Sequence, residues 1–180
     1  MIMAEEKKLK VLYSSDQIKE MVELLAEKIS NDFKKHNSKS IVVISVLKGA
    51  FMFTADLIRA INIPVQLEFV KISSYGSQEH SSGKIEAPLL LLPDLNNKDV
   101  LIVEDIVDSG RTVSFLKEYL SDQYKPRIMK VACLLNKEAR REVNVKADYV
   151  GFDVEDYFLV GYGLDSAEEY RHLPYLAIVN

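Results

Sequence analysis

Apolar positions along this chain fall into two rhythms. Ile18, Met21, Val22, Leu25, Ile29 and Phe33 recur at intervals of three or four, which places them on one stripe of a helix. Ser14 and Gln17 stand ahead of them at capping-box spacing, so a helix is predicted over 15–36 with a solvated polar face. Residues 41–47 instead form an apolar, β-branched run, the mark of a strand covered on both faces. After Lys48-Gly49 the helical rhythm returns through Phe53, Leu57, Ile58 and Ile61, and Pro64 opens a strand over 65–72. Residues 73–84 are polar and small with no periodicity, which predicts a loop. Strands follow near 87–92 and at 100–105, then a helix carrying Val113, Phe115, Leu116 and Leu120, a strand over 127–135, and short strands at 147–152, 157–161 and 175–179.

Strands alternating with helices predict an α/β fold: a mainly parallel, twisted, doubly wound, Rossmann-like sheet flanked by helices. Ligands of such sheets bind beyond the carboxyl ends of the strands. The last stretch shows short strands without a helix between them, so a small hood is expected from about residue 153 to 180, joined by N-terminal residues, over a core at 37–152. No internal repeat, heptad pattern or linker interrupts this reading, and 180 residues suit a single domain.

Composition narrows the class. With 48% hydrophobic and 28% charged residues the chain is of ordinary globular type. No apolar run reaches the roughly 18 residues of a membrane span, and Met-Ile-Met-Ala-Glu-Glu-Lys-Lys lacks the apolar region of a signal peptide, so a cytoplasmic location is expected. A net charge of −4 and a pI near 5.5 argue against a broad nucleic-acid face. Cys133 lies among Val131, Ala132, Leu134 and Leu135 and reads as a buried strand residue, while His36, His80 and His172 lack metal-ligand spacing.

The chemistry concentrates in Val100-Leu-Ile-Val-Glu-Asp-Ile-Val-Asp-Ser-Gly-Arg-Thr112. A buried strand ends in Glu104 and Asp105, and Asp108-Ser109-Gly110-Arg111-Thr112 makes a small-residue turn into a helix. Such a turn aims backbone N–H groups at a phosphate, with the Ser109 and Thr112 hydroxyls as further donors. The two acids would repel that phosphate, so they face donors such as sugar hydroxyls.

This run resembles the phosphoribosyl-pyrophosphate (PRPP) motif of the type I phosphoribosyltransferases. By that resemblance Glu104 and Asp105 hold the ribose 2- and 3-hydroxyls, residues 108–112 hold the 5-phosphate, and Asp108 lies beside the incoming base as the catalytic group. Further segments are similar, in order and spacing, to the hypoxanthine (6-oxopurine) members of the family. Leu47-Lys48-Gly49-Ala50 matches the pyrophosphate loop, where the peptide before the lysine is commonly cis, and Ser74-Tyr75-Gly76 matches the lid. Lys137, Phe158, Leu159 and Asp165 match the purine-binding end, and Arg171 matches a pyrophosphate contact. The resemblance implies Mg2+ held by Glu104, Asp105 and Asp165, PRPP and a 6-oxopurine as substrates, and a homo-oligomer, dimer or tetramer. Arg111 replaces the family's frequent lysine and Leu159 its frequent valine; both keep the chemical character.

The implied function is purine salvage: Mg2+-dependent transfer of the 5-phosphoribosyl group to N9 of hypoxanthine, and of guanine. Two alternatives stay open at this level, a regulator of the same fold that binds nucleic acid and an enzyme for xanthine. A P-loop kinase is excluded because Gly-x-x-x-x-Gly-Lys-Ser/Thr is absent, and Gly161-x-Gly163 lacks the third glycine of a dinucleotide loop.

Overall fold

Ser14 caps the first helix as its spacing predicts: its hydroxyl accepts from the Gln17 N–H at 3.3 Å while the Gln17 amide accepts from the Ser14 N–H at 2.9 Å. The computed structural model describes residues 8–72 and 91–179. The elements run β1 (Leu9–Tyr13), α1 (Ser15–Lys35), β2 (Ile41–Leu47), α2 (Phe51–Ala60), β3 (Val65–Lys71), β4 (Asp99–Val107), α3 (Arg111–Gln123), β5 (Ile128–Asn136), a short 3-10 turn (Glu138–Arg140), β6 (Tyr149–Asp153), β7 (Leu159–Val160) and β8 (Leu176–Val179).

Five strands form a parallel sheet in the order β3-β2-β4-β5-β6. The parity of β4 shows why both faces must be covered. Leu101 and Val103 join Ile18, Val22, Leu25, Ile29 and Phe33 of α1 in one apolar cluster. Val100 and Ile102 join Val113, Leu116 and Leu120 of α3 in a second. A continuous apolar run thus packs helices on each side. From β2 the chain moves outward to β3, then returns to lay β4 along the other edge of β2. The ends of β2 and β4 therefore flank the point where the winding reverses, the place such sheets bind ligands.

A separate antiparallel sheet, β1-β8-β7, uses both ends of the described chain. The structure departs from expectation in three places. β1 was not predicted as a strand. β4 continues through both acids to Val107 rather than stopping at Asp105. β7 holds only Leu159 and Val160, because the backbone turns left-handed at Gly161 (φ 98°), Tyr162 (φ 46°) and Gly163 (φ 103°) directly after it. The strand expected near 87–92 lies largely outside the described residues, and Leu91 and Leu92 are not in a strand. The lid residues Ser74 and Tyr75 also lie outside them. No helix among the described residues is long and apolar enough to cross a membrane.

Candidate active site

Lys48 and Gly49 leave β2 beside the end of β4, and the Leu47–Lys48 peptide is cis, as the resemblance implied. The chain is in close contact here: a Cβ built on Gly49 would stand 1.6 Å from Asp105 Oδ2. Asp105 Oδ1 accepts the Ile106 N–H at 2.8 Å. Consecutive strand residues point to opposite faces, so Glu104 and Asp105 diverge. Asp105 lines the cleft described below, whereas Glu104 is outside its lining, buried opposite Cys133 in the sheet register. Glu104 Oε2 has no hydrogen-bond partner, leaving an acceptor lone at the strand's end.

Burial sets the charge state of this pair. It pushes the Glu104 carboxyl well above its ordinary value, with the adjacent Asp105 charge adding to the rise. Asp105 is pushed up to about 6, again mainly by burial; the Ile106 N–H and Arg171 oppose the rise and Asp165 reinforces it. A carboxyl raised from 3.8 to about 6 binds more protons folded than unfolded between those values. Its contribution to stability therefore falls as pH rises through that window. Without substrate or divalent cation, wild-type Tm should drop relative to Asp105→Asn between pH 5 and pH 7. A difference in Tm that does not move with pH would remove the assignment. Burial likewise pushes the Cys133 thiol up to about 12, in keeping with an inert core residue.

The turn after β4 leads through Gly110 into the N-terminus of α3. Gly110 takes φ 82°, and a Cβ there would meet Val145 Cγ1 at 2.5 Å. α3 then starts with no acidic residue in its own first turn and no side-chain cap, and the positive end of a helix favours an anion. Ser109 Oγ accepts the Arg111 N–H at 3.4 Å. The Arg111 side chain leaves the turn and pairs with Glu142 at 2.5 Å.

Across the β4 end lies a cleft of about 270 Å³ lined by Asp105, Asp108, Lys137, Arg140, Phe158 and Asp165, with Ile106, Tyr157, Leu159 and Leu164 completing its wall. Lys137 is 6% exposed. Its ammonium donates to the Tyr157 carbonyl at 2.8 Å and stands 3.5 Å from Asp156. The Phe158 carbonyl accepts the Val179 N–H at 3.0 Å, so the hood sheet fixes its backbone while the side chain stays 58% exposed. An exposed aromatic at a cleft wall offers a flat stacking face. Asp108 Oδ1 is buried without a partner, and Arg140 Nη1 approaches its other oxygen at 3.9 Å.

Arg171 donates to the Gly163 carbonyl at 2.7 Å and pairs with Asp165 at 2.8 Å, while its Nε is buried without a partner. Lys48 pairs with Glu168 at 2.9 Å, and Glu168 also stands 3.5 Å from Arg171. Two cations far apart in the sequence thus share one carboxylate. Glu168, Arg140, Asp156 and Arg141 were not among the sequence candidates. Each sits in a charged stretch that resembles solvated surface, and only the fold brings Arg140 to the cleft wall, Asp156 beside Lys137, Glu168 beside Lys48 and Arg141 behind the motif turn.

The oxygen donors fit a hard divalent cation that comes with substrate. Asp105 and Asp165 line the same cleft. Among the described residues no group of three or more His, Cys, Asp or Glu is placed to hold a metal unaided. Mg2+ characteristically keeps waters and binds through one or two carboxylates plus substrate phosphates.

Known proteins resemble this chain throughout its length. Residues 10–167 match the phosphoribosyl transferase domain. A hypoxanthine-guanine phosphoribosyltransferase of Dictyostelium discoideum is 46% identical over 169 residues, covering 92% of either chain. The crystal structure of a hypoxanthine-guanine phosphoribosyltransferase from Bacillus anthracis superposes with a TM-score of 0.88 at 45% identity, over 97% of this chain and 100% of the other. A hypoxanthine phosphoribosyl transferase of Trypanosoma cruzi, studied for its oligomeric state, gives 0.89 at 37% identity over 98% and 93%.

Proposed function

This chain belongs to the phosphoribosyltransferase family, and from that membership we infer that it moves the 5-phosphoribosyl group of PRPP onto N9 of hypoxanthine or guanine, releasing pyrophosphate. It is a purine-salvage transferase. The observation that carries the assignment of roles is the single cleft in which Asp105 and Asp108 meet Lys137, Phe158 and Asp165.

As pyrophosphate departs, positive charge grows on the anomeric carbon and ring oxygen and negative charge on the leaving group. Asp105 accepts ribose hydroxyls from the cleft wall, with Glu104 behind it on the strand, and lies near the growing positive charge. The N-terminus of α3, with Ser109 and Thr112, receives the 5-phosphate. Arg171 and the Lys48-Gly49 loop take the pyrophosphate, which replaces Glu168 as partner of the two cations. Asp105 and Asp165, with Glu104 behind them, would hold Mg2+, which when bound neutralises charge on the leaving group.

Phe158 stacks on the base and the Leu159 backbone faces its N–H edge. Lys137 donates to the 6-oxo group; adenine would present an amino donor to the same ammonium, and the pairing fails. Asp108 accepts the proton from N7 as N9 attacks the sugar. Lys137→Ala should raise KM for hypoxanthine and guanine roughly tenfold to hundredfold, the loss of one charged hydrogen bond. Unchanged KM for both bases would count against the role.

Mg2+-dependent turnover of PRPP with hypoxanthine, guanine, xanthine, adenine and uracil in parallel tests the whole reading. Turnover should be confined to the oxopurines, and pyrophosphate release with uracil or adenine alone would overturn it. A homo-oligomer belongs to the same proposal. Sedimentation equilibrium giving only the mass of one chain would remove that part.

A further inference from the structure

Three consecutive carbonyls of the motif turn accept hydrogen bonds from residues 137–143. Val107 O receives the Lys137 N–H at 3.0 Å and Arg141 Nη2 at 3.2 Å. Asp108 O receives Arg141 Nε at 3.1 Å. Ser109 O receives the N–H groups of Glu142 at 3.0 Å and Val143 at 3.3 Å. The same guanidinium reaches Val145 O at 2.5 Å and Asn136 Oδ1 at 2.6 Å, and Asn136 is itself tied to Asp153 at 2.7 Å. Arg141 lines a separate hollow of about 290 Å³ with Asn136, Asn144 and Val145, not the cleft that holds Asp105 and Asp108.

We propose that Arg141 is a positioning residue for PRPP: from behind the turn it holds the peptide carbonyls of Val107 and Asp108 so that the N–H side of the loop is left for the 5-phosphate. A peptide unit has a negative and a positive end, and a cradle for an anion works only if the carbonyls are engaged elsewhere. The flat guanidinium spreads its donors over four acceptors from three segments, Asn136 at the end of β5, residues 107–108, and Val145. A lysine ammonium at this place has three donors on one atom and cannot span them. Arg141 touches neither substrate; its action passes through the loop.

This inference rests on the phosphoribosyltransferase reading, and the experiment separates the two. PRPP binding by calorimetry with Mg2+ present, steady-state kinetics and Tm are measured for wild type, Arg141→Lys, Arg141→Ala and Asn136→Ala. A misplaced cradle raises the PRPP dissociation constant and KM about tenfold for Arg141→Lys and about 10²-fold for Arg141→Ala, leaving hypoxanthine KM largely unchanged. Added guanidinium, kept at low millimolar levels, should restore part of the PRPP affinity to Arg141→Ala and none to Arg141→Lys. If either arginine variant fails to fold, Asn136→Ala keeps the guanidinium but frees one tether, and should weaken PRPP in the same direction by a smaller factor. PRPP affinity equal to wild type in the folded variants, or a loss shared equally by the base, overturns the proposal. A wild-type protein that neither binds nor turns over PRPP overturns the functional reading instead.

Discussion

Asp108→Asn lowers kcat by about 10² to 10⁴ while PRPP affinity stays within about twofold of wild type, the signature of a lost proton acceptor rather than a lost binding contact. Asparagine has nearly the same shape as aspartate, and the loop beneath position 108 is fastened by backbone bonds that the substitution leaves alone. The Asp108 carbonyl is held by Arg141, the Ser109 carbonyl by Glu142 and Val143. The cradle and the ribose acids therefore persist in the variant. What disappears is the basic oxygen. Asp108 Oδ1 is buried with no hydrogen-bond partner in a cleft shared with Lys137 and Phe158, the two side chains proposed to hold the purine. Rapid-quench turnover combined with equilibrium titration of PRPP separates chemistry from binding. A kcat near wild type would transfer the role to another group, and a large loss of PRPP affinity would make Asp108 a binding residue.

Glu138→Gln offers a contrast from the same segment. Glu138 borders the hollow behind the motif loop and not the substrate cleft, so kcat and both KM values should stay within about twofold, as for most surface changes. A tenfold loss measured in the same assay would mean the segment tunes catalysis through its charge.

Legibility in the sequence followed the range of the interactions. The 15–36 helix, the buried runs of β2 and β4 and the amphipathic α3 are written in local periodicity, because burying one stripe or one continuous run needs only that segment's own pattern. The motif acids and the turn were readable for the same reason, being contiguous. β1 was missed because Leu-Lys-Val-Leu-Tyr is too short to stand out, and it becomes a strand only by pairing with β8 from the far end of the chain. Glu168 is another long-range case: nothing near it announces that Lys48, 120 residues away, will find it. The parity of β4 was open to inspection, since adjacent residues on any strand part company, and it sets Asp105 in the cleft wall with Glu104 behind it. Arg140 and Arg141 are neighbours of identical type that the fold sends to different tasks, one to the cleft wall and one behind the loop. Identity alone could not have separated them.

Gly49→Ala reduces kcat/KM about 10²-fold or more although the fold survives, the order of loss that an ångström-scale misplacement of reacting groups produces. Gly49 does not occupy left-handed backbone, so alanine strains no dihedral; the loss comes from contact alone. The added methyl would stand 1.6 Å from Asp105 Oδ2 and 2.5 Å from Asp105 Cγ. Aspartate is short, and its other oxygen already accepts the Ile106 N–H, so the side chain cannot retreat without entering the space proposed for the ribose. The loop cannot easily lift instead, because a Cβ on Gly163 would lie only 2.1 Å from the Gly49 carbonyl, which shows how closely the two backbones already pack. A clash between these two side chains produces strong non-additivity. Asp105→Ala alone should also lose activity heavily, yet with Asp105 reduced to alanine the clash vanishes, and adding Gly49→Ala should cost at most about threefold more. Measured kcat/KM and Tm for the two single variants and the double variant decide it: losses that simply multiply mean that Gly49 is needed for something other than the Asp105 carboxylate.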